Sequence, residues 1–198
     1  MNEETIDFTE IADSIYKMLY IVADLRRDLE IYRGLFDSKE NEQILKNNFR
    51  EIEATIRVSI STRLILGVAA LFVDGRKSCG DENLSFKALL NRSENNLSDS
   101  TRKIWENIEK IIEQMKIKDF RNKRLAHFDY DVLMGKKMIE ATIPNDKLDE
   151  ALQLAQDLLH QISFDIGYLD GSKSYFYTPI LKEHSPKEFL MRISKKIN

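Results

Sequence analysis

The chain has few of the residues that make turns, disulfides or metal sites. Its 198 residues include seven glycines and three prolines, which is few for a turn-rich fold and favours long helices. Cys79 is the single cysteine, so the chain can form neither an intramolecular disulfide nor a cysteine-rich metal site. The three histidines are scattered, and there is no glycine-rich phosphate loop, so the sequence predicts no metal and no cofactor.

The chain also lacks a strong excess of either charge and a long apolar run. Thirty basic and 33 acidic residues give a net charge of -3, which leaves any contact with phosphate to a local patch. The longest unbroken apolar run, 64–73, is far shorter than the about 20 residues of a membrane helix. The acidic N-terminus does not have the pattern of a signal peptide. We therefore expect a soluble cytoplasmic protein that makes no contact with a membrane.

Four long segments carry apolar residues at three- and four-residue steps, the pattern of amphipathic helices. They predict helices over 9–35, 40–74, 98–115 and 144–169, the last ended by Gly171, and a shorter helix lies at 84–90. A capping box at 185–188 predicts one more short helix. We expect an all-α fold, an antiparallel four- to five-helix bundle over 1–171. The remaining residues, 172–198, form a C-terminal extension whose short helix packs on the bundle.

The second predicted helix becomes apolar on nearly every side from Leu64 onward. A helix of this kind is covered on every side, so this half belongs to the bundle centre or to a subunit interface. Gly67 would allow a neighbouring helix to approach closely. Arg57 and Arg63 in the same helix are expected to pair with buried carboxylates or to make a helix–helix contact.

One segment, 120–129, combines a cation, an amide and a group that titrates near neutral pH. Its sequence is Phe-Arg-Asn-Lys-Arg-Leu-Ala-His-Phe-Asp. Cleavage of RNA without a metal needs a proton taken from the 2'-hydroxyl, a proton given to the leaving oxygen, and neutralisation of the phosphate. His127 is suited to proton transfer, and the planar guanidinium of Arg121 matches phosphate oxygens. Asn122 is suited to orienting either partner.

The spacing of this motif limits how it can work. On a straight helix, positions 121 and 127 lie about 120° apart, so one helix would not aim both side chains at one phosphate. Either Arg121 lies in a turn before the helix, or two copies of the motif meet across a symmetric dimer. A break in the apolar register at 116–119 favours the first arrangement.

Here the sequence resembles a known family. The run from Arg121 to His127, with a polar residue directly after the arginine, fits the R-x(4–6)-H signature of HEPN domains. Two upstream segments, 61–64 and 83–90, resemble the AbiU2-like branch of that superfamily, and the resemblance spans 44–169.

The resemblance implies a HEPN-like helical bundle that forms a homodimer with a composite site. It also implies a metal-independent endoribonuclease of a toxin–antitoxin or abortive phage-defence system, with an antitoxin protein as a possible partner. In that role Arg121 would hold and neutralise the scissile phosphate, His127 would transfer protons, and Asn122 would orient the phosphate or the histidine. The products would be a 2',3'-cyclic phosphate and a 5'-hydroxyl.

Simpler interpretations of these residues stay open. Arg121 can form a surface ion pair with Asp119 or with a neighbouring helix, His127 can bond a backbone carbonyl, and Asn122 can cap a helical turn. The basic residues around the motif can gather RNA or form a solvated face; the RNA-binding candidates are Lys118, Lys123 and Arg124. The alternative functions are a non-catalytic HEPN-like module that binds RNA, a nucleotide or a partner, and a purely structural bundle.

Overall fold

The computed structural model describes residues 8–75, 77–78, 81–122, 145–168 and 185–197. Its α-helices are α1 Phe8–Phe36, α2 Lys39–Val68, α3 Phe86–Ser93, α4 Asp99–Gln114, α5 Ile117–Phe120, α6 Asn145–Asp165 and α7 Pro186–Ile197. A π-helical turn, Ala69–Val73, continues α2, and a 3-10 turn, Glu94–Asn96, follows α3. Two strands of two residues each, β1 Lys77–Ser78 and β2 Asp81–Glu82, form a minimal antiparallel hairpin. The predicted all-α bundle is confirmed.

The core lies between α1, α2, α4 and α6. Helix α1 packs along α2 and α6, and α4 packs on α6. The predicted apolar stripes of α1 and α6 are buried there: Ile11, Ile15, Met18, Val22, Leu25 and Leu29 from α1, and Leu148, Leu152, Ala155, Leu159 and Ile162 from α6. Because two residues join α1 to α2, these helices are antiparallel neighbours.

The apolar half of α2 is a core element of this bundle. Three of its residues and three of the π-helical turn are buried: Leu64, Ile65 and Val68, and Ala69, Leu71 and Phe72. A Cβ at Gly67 would lie 2.6 Å from Leu25 Cδ2, so the predicted close approach of a neighbour is made by α1. Val58 and Leu66 are 62% and 44% exposed, so the helix is not covered on every side.

By length and composition, one segment of the described residues, Ile52–Val73, is long and apolar enough to cross a membrane, with a mean hydropathy of 1.8. The core helix of a bundle passes the same test, and here the segment contributes to the core. Its two arginines are ion-paired as predicted: Arg57 lies 2.7 Å from the buried carboxylate of Glu53, and Arg63 lies 2.8 Å from Asp28 on α1.

Serine side chains cap the starts of four of the described helices. Ser38, Ser85, Ser98 and Ser185 each accept a hydrogen bond from the backbone N–H three residues later, which satisfies one of the donors that a helix start leaves open. The predicted opening of a helix at Ser98 is confirmed.

The predicted end of the last long helix at 169–171 was wrong. Helix α6 ends at Asp165, because Gly167 adopts a positive φ of 70°. The Gly167 N–H donates to Phe164 O and the Tyr168 N–H donates to Ser163 O, both at 2.9 Å, which is the Schellman arrangement. A glycine four residues before Gly171 thus ends the helix.

The C-terminal helix α7 lies against α1 and α2. Leu190 is buried together with Leu35, Phe36 and Leu45. Gly34 of α1 leaves room for the first residue of α7, since a Cβ at Gly34 would lie 2.6 Å from the Pro186 Cβ. The boundary between bundle and extension at 171–172 falls outside the described residues and stays a prediction.

Candidate functional site

The predicted break before the motif is present and lies at Lys116. This residue takes the left-handed conformation, with φ 51° and ψ 34°, which is uncommon for a residue other than glycine. It separates α4 from α5 and turns the chain, while the next residue, Ile117, is fully buried and anchors α5 in the core. Arg121 and Asn122 continue α5 in helical conformation, so Arg121 follows the break by one helical turn.

The Arg121 side chain is held between two neighbours. Its Nη1 is ion-paired with the carboxylate of Asp74, and its Nε donates a hydrogen bond of 3.1 Å to Asn122 Oδ1. The Arg121 side chain is 23% exposed and that of Asp74 is 33% exposed, so the pair is partly open to solvent. Because a guanidinium is only a donor, the amide of Asn122 must turn its oxygen to Arg121, and its NH2 group points elsewhere.

Asp74 is a residue of this site that sequence reasoning missed. It ends the π-helical turn after α2, where its N–H donates to Ala69 O at 3.0 Å and its backbone becomes extended. The buried Leu71 and Phe72 fix the turn just before it. Asp74 is the first charged residue after the apolar run 64–73, and that position at the end of a core helix was the available signal. Arg121 therefore forms its ion pair with Asp74.

The remaining predicted site residues divide into two groups. Lys118 is exposed on α5. Lys123, Arg124 and His127 lie outside the described residues, so their roles stay predictions and the spacing between positions 121 and 127 stays untested. Among the residues that the structure describes, no three His, Cys, Asp or Glu side chains are grouped as metal ligands.

The fold and the motif together define a class of protein. An all-α bundle with Arg-Asn after a late helix break and a histidine six residues after the arginine has the organisation of a HEPN domain. The family model described as AbiU2 matches residues 6–182, so the chain belongs to the AbiU2 family of HEPN domains, a family related to abortive infection. No curated protein and no solved structure matches the chain.

The family match is longer than the resemblance recognised in the sequence. The resemblance covers 44–169, whereas the match includes all of α1 and reaches into the C-terminal extension. The segment 172–182 lies beyond the resemblance but belongs to the region that the family shares.

Proposed function

We propose that this protein is a metal-independent endoribonuclease of an abortive-infection or toxin–antitoxin system. The observation that carries the proposal is the partly exposed Arg121, which Asp74 and Asn122 hold in one orientation on a segment anchored in the core. With a histidine brought close to it, such a fixed guanidinium would supply the charge and the proton transfer that RNA cleavage requires.

The arrangement assigns separate tasks to the donors of Arg121. A guanidinium carries five N–H donors in one plane, and the contacts with Asp74 and Asn122 use two of them. We assign the others to the scissile phosphate, where they would neutralise the charge that grows in the transition state. The NH2 group of Asn122, which is turned away from Arg121, would orient a phosphate oxygen or His127.

His127 would take the proton of the 2'-hydroxyl or supply the proton of the leaving 5'-oxygen. Attack of the 2'-oxygen on phosphorus, with departure of the 5'-oxygen, yields a 2',3'-cyclic phosphate and a 5'-hydroxyl. Both steps need a histidine near Arg121, from the same chain or from a second copy. We include a homodimer with a composite site in the proposal, because Arg121 is helical and does not lie in a turn. On a straight helix that continued from it, at about 100° per residue, position 127 would lie about 120° away.

The proposal includes the partners of such an enzyme. Lys118, Lys123 and Arg124 would gather RNA around the scissile phosphate, in a molecule whose net charge is negative elsewhere. The protein would act in the cytoplasm, and a toxin of this kind would be held inactive by an antitoxin protein.

Purified protein should cleave RNA in the presence of a chelator, and Arg121→Ala and His127→Ala should each abolish that cleavage. A matched control is Arg27→Ala, which removes another ion-paired arginine, bound 3.0 Å from Asp24 on the exposed side of α1. It should cleave at the wild-type rate. The absence of cleavage by the wild type, or equal cleavage by all four proteins, would exclude the proposed activity.

The second candidate is a module that binds RNA without cleaving it. The ion pair favours it, because Asp74 already neutralises the charge of Arg121. This candidate predicts RNA binding that Arg121→Ala weakens, with no products formed on prolonged incubation.

A further inference from the structure

An open pocket of about 640 Å³ lies where the π-helical turn, α3, α4 and α5 meet. Its α4 wall is formed by Trp105, Glu109, Ile112 and Glu113, which share one face of the helix. Its volume lies within the range of small-molecule sites, about 300–1,000 Å³. Neither Arg121 nor Asn122 lines this pocket, and of the RNA-binding candidates that the structure describes, Lys118 does.

Two chain segments that line the pocket continue directly into the candidate catalytic site. Val73 lines the pocket, and Asp74, the next residue, is ion-paired with Arg121. On the other segment Asp119 lines the pocket, and Arg121 follows two residues later. A nucleotide whose phosphate lies at Arg121 would therefore have this pocket beside it.

The pocket contains an aromatic surface that is held in place from behind. Trp105 is half-buried, and its ring lies 5.9 Å from that of Phe86, which in turn stacks on Phe72 at 5.0 Å. Phe86 and Phe72 are buried, so the indole packs against a ring that a second buried ring holds in place. Fixed aromatic side chains are surfaces on which nucleic-acid bases stack.

The charges of the pocket indicate a base rather than a second phosphate. Three lysines line it, Lys87, Lys116 and Lys118, but three carboxylates, Glu109, Glu113 and Asp119, balance them. A carboxylate only accepts hydrogen bonds, so it favours a ligand edge that carries N–H donors. Guanine presents two adjacent donors of this kind, N1–H and N2–H, whereas uracil presents one.

The backbone conformation of Lys116, at the rim of the pocket, is a second and independent indication of a functional site. It is the one non-glycine residue in the described chain with a positive φ, and strained backbone of this kind is concentrated at functional sites. The left-handed turn places both the end of α4 and the start of α5 around the pocket.

We propose that this pocket is a nucleobase subsite, which stacks the RNA base next to the scissile phosphate on Trp105 and prefers guanine through Glu109 and Glu113. The proposal rests on the proposed ribonuclease function for its substrate. It is tested by base binding, which does not depend on cleavage.

Trp105 is the only tryptophan of the chain, so its fluorescence reports directly on the pocket. Guanosine 5'-monophosphate should quench it and bind about tenfold more tightly than uridine 5'-monophosphate, the ratio expected for one additional hydrogen bond to a charged group. Inorganic phosphate at the same concentrations should leave the fluorescence unchanged.

The double variant Glu109→Gln/Glu113→Gln should lose the preference, to less than about threefold, because a neutral amide replaces each charged acceptor. Both glutamates are exposed, so the variant keeps the fold. Glu106→Gln is the matched control, since Glu106 is exposed on the same helix and does not line the pocket. It should behave as the wild type.

The results separate this proposal from the ribonuclease proposal. Base-selective quenching without RNA cleavage supports the subsite and overturns the enzyme. Three results overturn the subsite: cleavage of RNA without quenching by any nucleotide, equal binding of the two nucleotides, or an unchanged preference in the double variant. None of them contradicts the proposed ribonuclease activity.

Discussion

The guanidinium of Arg121 is ion-paired with the carboxylate of Asp74, although 47 residues separate them in the chain. The pair joins the start of the motif to the end of the long core helix α2, through contacts between α5 and the π-helical turn. The orientation of the proposed phosphate-binding group is thus set by the packing of the bundle.

Removal of either partner of this pair should destabilise the fold. Arg121→Ala or Asp74→Ala leaves a partly buried charge without its partner, which should lower the free energy of unfolding by about 1–2 kcal/mol. The double variant should lose less than the sum of the two, with a coupling of about 1 kcal/mol in a denaturant-unfolding cycle.

The control for this cycle is the exposed pair of Lys17 and Asp13, 2.9 Å apart on α1 with side chains 63% and 65% exposed. Its coupling should be no more than about 0.5 kcal/mol. Strictly additive effects at positions 74 and 121 would show that the ion pair contributes nothing to stability.

In the proposed enzyme, Asp74→Asn should lower both KM and kcat. Loss of a negative charge beside the phosphate site should tighten RNA binding about fivefold, which corresponds to about 1 kcal/mol of Coulomb repulsion in a well-solvated site. Because Arg121 loses its oriented partner, kcat should fall at least about tenfold.

The binding effect is separable from catalysis by adding the substitution to His127→Ala. In that background Asp74→Asn should again tighten RNA binding about fivefold. Asp24→Asn, which removes an exposed carboxylate from α1, is the control and should change neither constant. A raised KM, or an unchanged kcat, would contradict the positioning role of Asp74.

Gly34→Ala should displace the C-terminal helix. A Cβ at Gly34 meets the rigid ring of Pro186 at 2.6 and 2.8 Å, so α7 must shift, and overpacking of this kind costs about 1–3 kcal/mol. Hydrogen exchange should show faster exchange in α7 than in α6. Gly75→Ala, where a Cβ meets nothing within 4 Å, should leave exchange in α7 unchanged; protection of α7 in Gly34→Ala equal to the wild type would contradict this packing.

The helices could be predicted from the sequence because their signals are local. Apolar stripes predicted α1 and α6. Ser98, a residue type that is favoured at the cap of a helix start, predicted the start of α4. The register break was also visible, since an apolar stripe cannot continue through a left-handed residue such as Lys116.

The features that could not be predicted from the sequence depend on packing between helices or on a choice between two similar local signals. The Asp74 contact is set by how α5 lies on the π-helical turn, which no spacing within the motif encodes. Gly167 and Gly171 are both fit to end a helix, and only the backbone shows that Gly167 does so. Helix α2 is kinked at Phe49, which has the non-helical angles φ -148° and ψ 46°. No proline or glycine lies nearby from which the kink could be predicted.

Asp165 at the end of α6 binds the start of α4, and this contact should make the free energy of unfolding depend on pH. Its carboxylate accepts hydrogen bonds from the backbone N–H and hydroxyl of Ser98 and from the hydroxyl of Thr101 at the start of α4. Burial raises the pKa of Asp165, but these hydrogen bonds and one from Gln161 outweigh burial and hold the pKa below its ordinary value.

A carboxyl group whose pKa is lower in the folded state binds its proton more readily when the chain unfolds. Its contribution to stability is therefore complete above the unfolded-state pKa, about 3.9, and is lost as the pH falls through the lower folded-state value. Asp165→Asn should cost about 1 kcal/mol at pH 7, because charged hydrogen bonds become neutral ones at a half-buried site.

Denaturant unfolding of the wild type and Asp165→Asn between pH 7 and pH 2 measures this dependence. The difference in the free energy of unfolding should stay constant down to about pH 4 and then shrink towards zero. Asp157→Asn, at an exposed position of the same helix, is the control and should track the wild type within about 0.5 kcal/mol throughout. A difference that persists unchanged at pH 2 would show that shape, and not the charge on Asp165, holds the start of α4 to the end of α6.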